Sequence, residues 1–343
     1  MARPVGKFFT KITVVFLFLF TGFIFSLDPP TNGSVTINSN DFYVNTINVN
    51  LSLYAVDATS INISNTDFGA GVTESYATNK SWSLVEGDGQ KTVYTQFINE
   101  SGNINASDTI TLDTTAPNPG VLTVRDMTNG SGQFTNGRIV SVNISGESDG
   151  LSGIAKYYIT ENNSAPGLDD PAWQDKPVTY NILSNEGPVT LYLFIKDNAA
   201  NISTHAFYTI TLDLTVPVID AFTIKDKTSG NENYTNEIVI SVDVTEAGVS
   251  ASYGYYISGN ASAPNGDNNG IWINKPDTFT LSNGDAVKTV YLWVRDEGGN
   301  TAGTSRTITL DTTSPDVTSI TLTDQTYANT NYSNAALINI NIA

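Results

Sequence analysis

The residues with most capacity for chemistry are carboxylates that return at a nearly fixed spacing. Asp113, Asp213 and Asp311 stand 100 and 98 residues apart, and each opens a phrase that ends in proline: "DTTAP", "DLTVP" and "DTTSP". Asp126, Asp226 and Asp324 recur early in the following repeat, and Asp197 and Asp296 open the turn-like "DNAAN" and "DEGGN". Hard oxygen ligands of this kind suit calcium. If the late turn and linker of one repeat approach the start of the next, carboxylates and backbone carbonyls can hold one ion at about 2.3–2.6 Å. The same aspartates can equally cap strands and turns by side-chain to backbone hydrogen bonds. Both readings stay open for Asp113, Asp126, Asp197, Asp213, Asp226, Asp296 and Asp311, and calcium is the only cofactor that the residues suggest.

A second group is aromatic. Trp173 and Trp272, with Tyr158 and Tyr256, offer flat apolar rings that match the faces of a pyranose. Sandwich cores also take up large aromatics, so packing is the competing reading. His205 is the only histidine and has no counterpart in the other repeats, which suits a strand histidine better than a catalytic one. Asp169 and Asp170 fall in a loop-like "APGLDDPAW" and read as solvated acids. A Lys–Asn cross-link is disfavoured because Gly254 stands where the preceding repeat has Lys156. No G-x-S-x-G elbow, H-E-x-x-H or phosphate-binding loop occurs, and there is no cysteine for thiol chemistry or a disulfide. The reading is therefore non-enzymatic.

These residues are placed by a repeat of whole domains. Besides the linker phrases, "VYTQFINESGN", "LYLFIKDNAAN" and "VYLWVRDEGGN" recur upstream of them. "FYVN", "QFTN", "NYTN" and "NYSN" recur near each start. The period is too long for a solenoid unit. Inside a repeat the pattern alternates, as in "RIVSVNIS" and "EIVISVDV", which is the period of half-buried strands. Val290, Leu292 and Val294 share the face expected to be core. "TITL" is the expected last strand, after which Asp turns the chain out of the sheet. Thr–Thr–x–Pro then makes a stiff connector, since proline fixes its own backbone and holds its predecessor extended. About seven short strands per hundred residues predict an all-β fold of tandem Greek-key β-sandwiches, arranged as a semi-extended rod.

The chain has 343 residues and a formal net charge of −18, which argues against nucleic acid and anionic lipid as partners. Arg3, Lys7 and Lys11 precede an uncharged apolar run over Ile12–Phe25, the pattern of a secretory signal peptide. The run is shorter than a bilayer span, and an uncleaved anchor is the alternative. The expected organisation is a signal helix over 1–26 and a divergent first domain over 27–117. Domains over 118–217 and 218–315 follow, with the start of a truncated fourth over 316–343. The first domain departs by lacking the "YYIT"/"YYIS" strand and the "SAP" insertion of the others, which leaves its central strands less defined by the sequence.

The "YTN" text, "VYLWVRDEGGN" and "TITLDTTSP" together resemble the tandem bacterial Ig-like repeats of secreted and cell-surface proteins. That resemblance implies a stalk, spacer or adhesin with an extracellular protein or glycan as partner. The alternative is a set of accessory modules, including carbohydrate-binding ones, of a secreted enzyme whose catalytic domain lies beyond residue 343.

Overall fold

The structure is a computed structural model that describes residues 28–249, 254–264, 271–326, 328, 330–332 and 336–342. The expected signal peptide, and Ser333 and Asn334 of the last "NYSN", lie outside the described residues. Every regular element among the described residues is a strand. The chain forms two compact units, one of Met1–Thr115 with Asn198–Asn201, the other of Ala116–Asp197 with Ile202–Ala343.

The first unit holds β1 (Thr31–Ile37), β2 (Tyr43–Val44), β3 (Asn48–Val56), β4 (Ser60–Ser64), β5 (Thr73–Ser75), β6 (Asn79–Ser83), β7 (Gly89–Asn99) and β8 (Gly102–Leu112). They make two sheets, in the orders β1-β3-β6 and β2-β8-β7-β4-β5. The alternation of β3 is complete: Val49, Leu51, Leu53 and Ala55 face inward and the residues between them face water. Phe97, Leu51, Ile110 and Leu112 close the core. The strand expected to be missing from the first domain is present as β4, which pairs antiparallel with β7. Ile61 and Ile63 fill the core there without the tyrosines of the other repeats.

In the second unit, β9 (Val121–Asp126), β10 (Phe134–Thr135), β11 (Ile139–Ser145), β12 (Ile154–Thr160), β13 (Thr179–Asn181), β14 (Gly187–Asp197) and β15 (Ala206–Leu212) form sheets β13-β11-β9 and β10-β15-β14-β12. Next come β16 (Val218–Asp226), β17 (Tyr234–Thr235), β18 (Val239–Ala247), β19 (Tyr255–Ser258), β20 (Thr278–Thr280), β21 (Ala286–Arg295) and β22 (Thr301–Leu310). Their sheets are β16-β18-β20 and β17-β22-β21-β19. A final pair, β23 (Ile320–Asp324) and β24 (Ile338–Ile342), is antiparallel and mostly exposed. Each pair of larger sheets encloses its own apolar cluster. Val290, Leu292 and Val294 are fully buried, so the aliphatic face is the core face. Tandem β-sandwiches are thus the fold.

The short strand near each start explains part of the repeated text. β2, β10 and β17 pair parallel with the last strand of their own sandwich, so the chain changes sheet there. "YVN", "FTN" and "YTN" mark that crossing.

Candidate functional site

The linker aspartates occupy one local geometry three times. The amides of Asp113, Asp213 and Asp311 donate to the carbonyls of Val44, Thr135 and Thr235 at 2.8, 2.9 and 3.0 Å. Oδ1 of each accepts the amide two residues on, from Thr115, Thr215 and Thr313, at 3.1, 3.2 and 3.2 Å. These are turns capped by aspartate.

A second acid holds each linker from the hairpin side. Asp88 Oδ1 accepts the amide and hydroxyl of Thr114 at 2.9 and 2.8 Å, and Oδ2 accepts the Thr115 hydroxyl at 2.6 Å. Asp285 repeats the arrangement on Thr312 and Thr313 at 2.8, 2.7 and 2.6 Å. Glu186 accepts the Leu214 amide and, at 3.1 Å, the Thr215 hydroxyl. The Thr313 hydroxyl and Thr312 amide hold the Asp285 carboxyl at about 2, below its usual 3.8. Asp88 is lowered in the same way, first by the Thr115 hydroxyl. The threonines of the linker phrase therefore have a partner as well as a strand preference. The text before each hairpin strand, "GDGQ", "NEGP" and "NGDA", carries that acid each time.

Asp126 and Asp226 are 3% exposed at the ends of β9 and β16. Asp126 Oδ1 accepts the amides of Thr128 and Asn129 at 2.7 and 2.8 Å, and its Oδ2 accepts the buried Thr135 hydroxyl at 2.6 Å. Asp226 does the same with Thr228, Ser229 and Thr235. The Ser229 amide, then the Thr235 hydroxyl, lower the Asp226 carboxyl to about 2. The threonine of "FTN" and "YTN" is a buried donor to this acid, a role that alternation does not reveal.

The late turns meet the linkers. In the first unit Asn201 Nδ2 donates to the Asp113 carbonyl at 2.8 Å. In the second, Asn300 Nδ2 donates to the Asp213 carbonyl at 2.9 Å and to Asp296 Oδ2 at 3.0 Å, while its amide reaches Asp296 Oδ1 at 2.8 Å. A Cβ at Gly298 would lie 2.9 Å from Asp213 Oδ2, so the "GG" of "DEGGN" permits this approach. Burial, and then the nearby charge of Asp213, raise the Asp296 carboxyl against the hydrogen bonds from Asn300. Asp197 is almost fully buried at the end of β14, and one of its oxygens lies within 4.8 Å of an Asp149 oxygen. The turn acids thus face other carboxylates, whereas Asp126 and Asp226 are enclosed by hydroxyls and amides.

The four aromatic candidates form two equivalent clusters. Tyr158 meets Trp173 edge-on at 5.4 Å, with Lys196 Nζ 4.8 Å from the indole centroid. Tyr256 meets Trp272 at 6.3 Å, with the Arg295 guanidinium 4.6 Å from the ring. A cation covers one indole face in both, a contact favoured by the ring quadrupole. Trp272 is 2% exposed, while Trp173 is half-buried. His205 lies just before β15 and is exposed, packed against Tyr192, Phe194 and Phe207 at 5.0, 5.7 and 6.3 Å.

No protein-family model matches this sequence, and no curated protein matches it. Solved structures of similar build do match. Fibronectin(III)-like modules of Clostridium thermocellum CbhA share 15% identity, covering 52% of this chain and 94% of theirs, with a TM-score of 0.31. A tetra-tandem repeat from the extending region of a large adhesion protein shares 16% identity, covering 90% and 88%, with a TM-score of 0.22. A bacterial ice-binding adhesin shares 14% identity, covering 82% and 98%, with a TM-score of 0.35. The chain is all-β and tandem, on its own strands. Likenesses this remote carry no functional assignment. Among the described residues no helix is long and apolar enough to cross a membrane.

Proposed function

We propose that this chain is a non-enzymatic secreted or cell-surface protein whose Ig-like domains act as a stalk and adhesion module. The domains are those bounded by the linker prolines: 27–117, 118–217 and 218–315, with the start of a fourth over 316–343. The observation that carries this reading is the threefold linker clasp of Asp88, Glu186 and Asp285 on their linker residues. Three connectors are built alike and held to their own sandwich, which suits a molecule whose task is spacing. Repetition of a binding surface along such a spacer multiplies contacts without new chemistry.

Pulling single molecules from their ends tests the reading. Three unfolding events are expected, each releasing about 90–100 residues at about 3.6 Å per residue. One event that releases the whole chain would contradict it.

A second reading concerns calcium. Asp213 and the buried Asp296 repel each other at the turn, and an ion bound beside them would relieve that repulsion. In this reading calcium stiffens the stalk.

A further inference from the structure

Three positions that correspond by strand register carry different residues. Ser64, Thr160 and Ser258 lie opposite Tyr94, Tyr192 and Tyr291 on the neighbouring strand. The residues after them are Asn65, Glu161 and Gly259. Facing these, the amides of Leu84, Ile182 and Leu281 donate to the carbonyls of Ile47, Arg138 and Ile238 at 2.9, 2.8 and 2.8 Å. That correspondence aligns Trp82, Tyr180 and Phe279, two residues earlier in each.

In two of the three sandwiches the chain fills this place with its own side chain. Asn65 accepts the Trp82 indole N–H at 2.7 Å and donates to the Ser83 carbonyl at 2.9 Å. Glu161 is held more fully. Its carboxylate accepts the amides of Leu183 and Ser184 at 2.6 and 2.9 Å, the Ser184 hydroxyl, and the Tyr180 hydroxyl at 3.3 Å. Burial opposes the charge there, yet these donors keep the carboxyl below its usual range. Two successive backbone amides plus hydroxyls make an anion receptor, and here the anion is internal.

The third sandwich keeps two successive backbone amides at this place, those of Ser282 and Asn283, but loses the occupant and both hydroxyl donors, with Asn283 where Ser184 stood. Gly259 replaces the glutamate and Phe279 replaces the tyrosine, and a groove of about 660 Å³ opens between Gly259, Asn260, Ser282, Lys288 and Tyr291. Ser282 and Asn283 stand where Leu183 and Ser184 stood, and their amides have no acceptor among the described residues. Lys288 replaces an apolar Val189 by register, opposite Ile308 as Val189 is opposite Ile210. Its Nζ lies 3.2 Å from both Ser282 Oγ and the Asn283 carbonyl, at the wall of the groove. Relative to the second sandwich a carboxylate has gone and a cation has come, while the first carries Lys91 at the same register, opposite Ile110.

We infer that the groove of the third sandwich binds a glutamate-type carboxylate side chain from a polypeptide partner, in the manner that Glu161 binds its own sandwich. A polypeptide is favoured because the internal precedent is a glutamate presented just beyond a strand end. The site does not depend on the stalk reading.

Titration of the isotope-labelled chain with N-acetyl-glutamate N-methylamide, followed at the amides of Ser282 and Asn283, tests the inference. The glutamine analogue and glucuronate serve as the other arms. The glutamate probe is expected to shift both amides, and the glutamine analogue to bind about tenfold more weakly or worse, as loss of a charge-assisted contact requires. Lys288→Gln should weaken the glutamate probe by a similar factor. Gly259→Glu should abolish its binding and shift the same two amides without a probe. A Cβ at Gly259 meets nothing within 4 Å, so that variant leaves the fold room. Equal binding of the glutamate and glutamine probes, no shift at the two amides, or unchanged binding in Gly259→Glu would overturn the proposal. Binding of glucuronate without the glutamate probe would overturn the polypeptide assignment.

Discussion

Asp226 and Thr235 form a buried pair in which the hydroxyl donates to a carboxylate at 2.7 Å. Replacement by an isosteric apolar residue, Thr235→Val, leaves that oxygen one donor short and is expected to cost about 1–3 kcal/mol. Urea unfolding measures it, and a midpoint equal to that of the unaltered chain would contradict the assigned role. Asp296 behaves in the opposite sense. Its folded carboxyl titrates above 3.8, so the folded state holds this proton more tightly than the unfolded chain. Its contribution to stability therefore falls as pH rises through the window above 3.8. Asp296→Asn is expected to flatten that part of the pH–stability curve. If calcium relieves the repulsion, millimolar calcium raises the melting temperature of the unaltered chain at neutral pH and not that of the variant. An unchanged pH slope in Asp296→Asn would contradict the raised carboxyl that burial, and then the Asp213 charge, produce.

At the scale of elements, the strands were legible because each buries one face. Alternation puts Val290, Leu292 and Val294 on one face of β21, their aliphatic character rather than the alternation favours that face as core, and the structure buries all three. The first sandwich's β4 was obscured because its inward residues, Ile61 and Ile63, share no text with the "YYIT" strand. The pleat requires only an apolar side chain there. The linker clasp was illegible for a different reason. Asp88, Glu186 and Asp285 act on threonines 26–29 residues away, and no local period reports such a contact. Asp285→Ala is expected to speed proteolytic cleavage within Thr312–Pro315 relative to the unaltered chain. Because the folded carboxyl sits at about 2, the clasp is fully present above pH 3.8 and is lost as pH falls through 2. Cleavage by an acid-active protease should therefore accelerate across that window in the unaltered chain and not in the variant. Equal cleavage rates at neutral pH would remove the clasp from the account of the linker.

Across the whole molecule, the candidate acids divide by environment rather than by sequence. Asp126 and Asp226 read the same as Asp197 and Asp296 on the page, all being recurrent aspartates near turns. Only the fold shows the first two enclosed by donors and the others set against further carboxylates. The aromatic candidates divide likewise, since Trp272 is enclosed and Trp173 is half-open. Glu161 and Gly259 were passed over because their significance is a difference between aligned sandwiches, visible once register fixes the alignment.

What unites these scales is the proposal that like sandwiches are held apart by clasped linkers. Small-angle X-ray scattering of residues 27–343 tests that most directly. A stalk predicts a radius of gyration above about 30 Å, since one domain of about 100 residues contributes about 13 Å before any spacing is added. A value near 20 Å, which is about that of a single compact globule of this length, would contradict it.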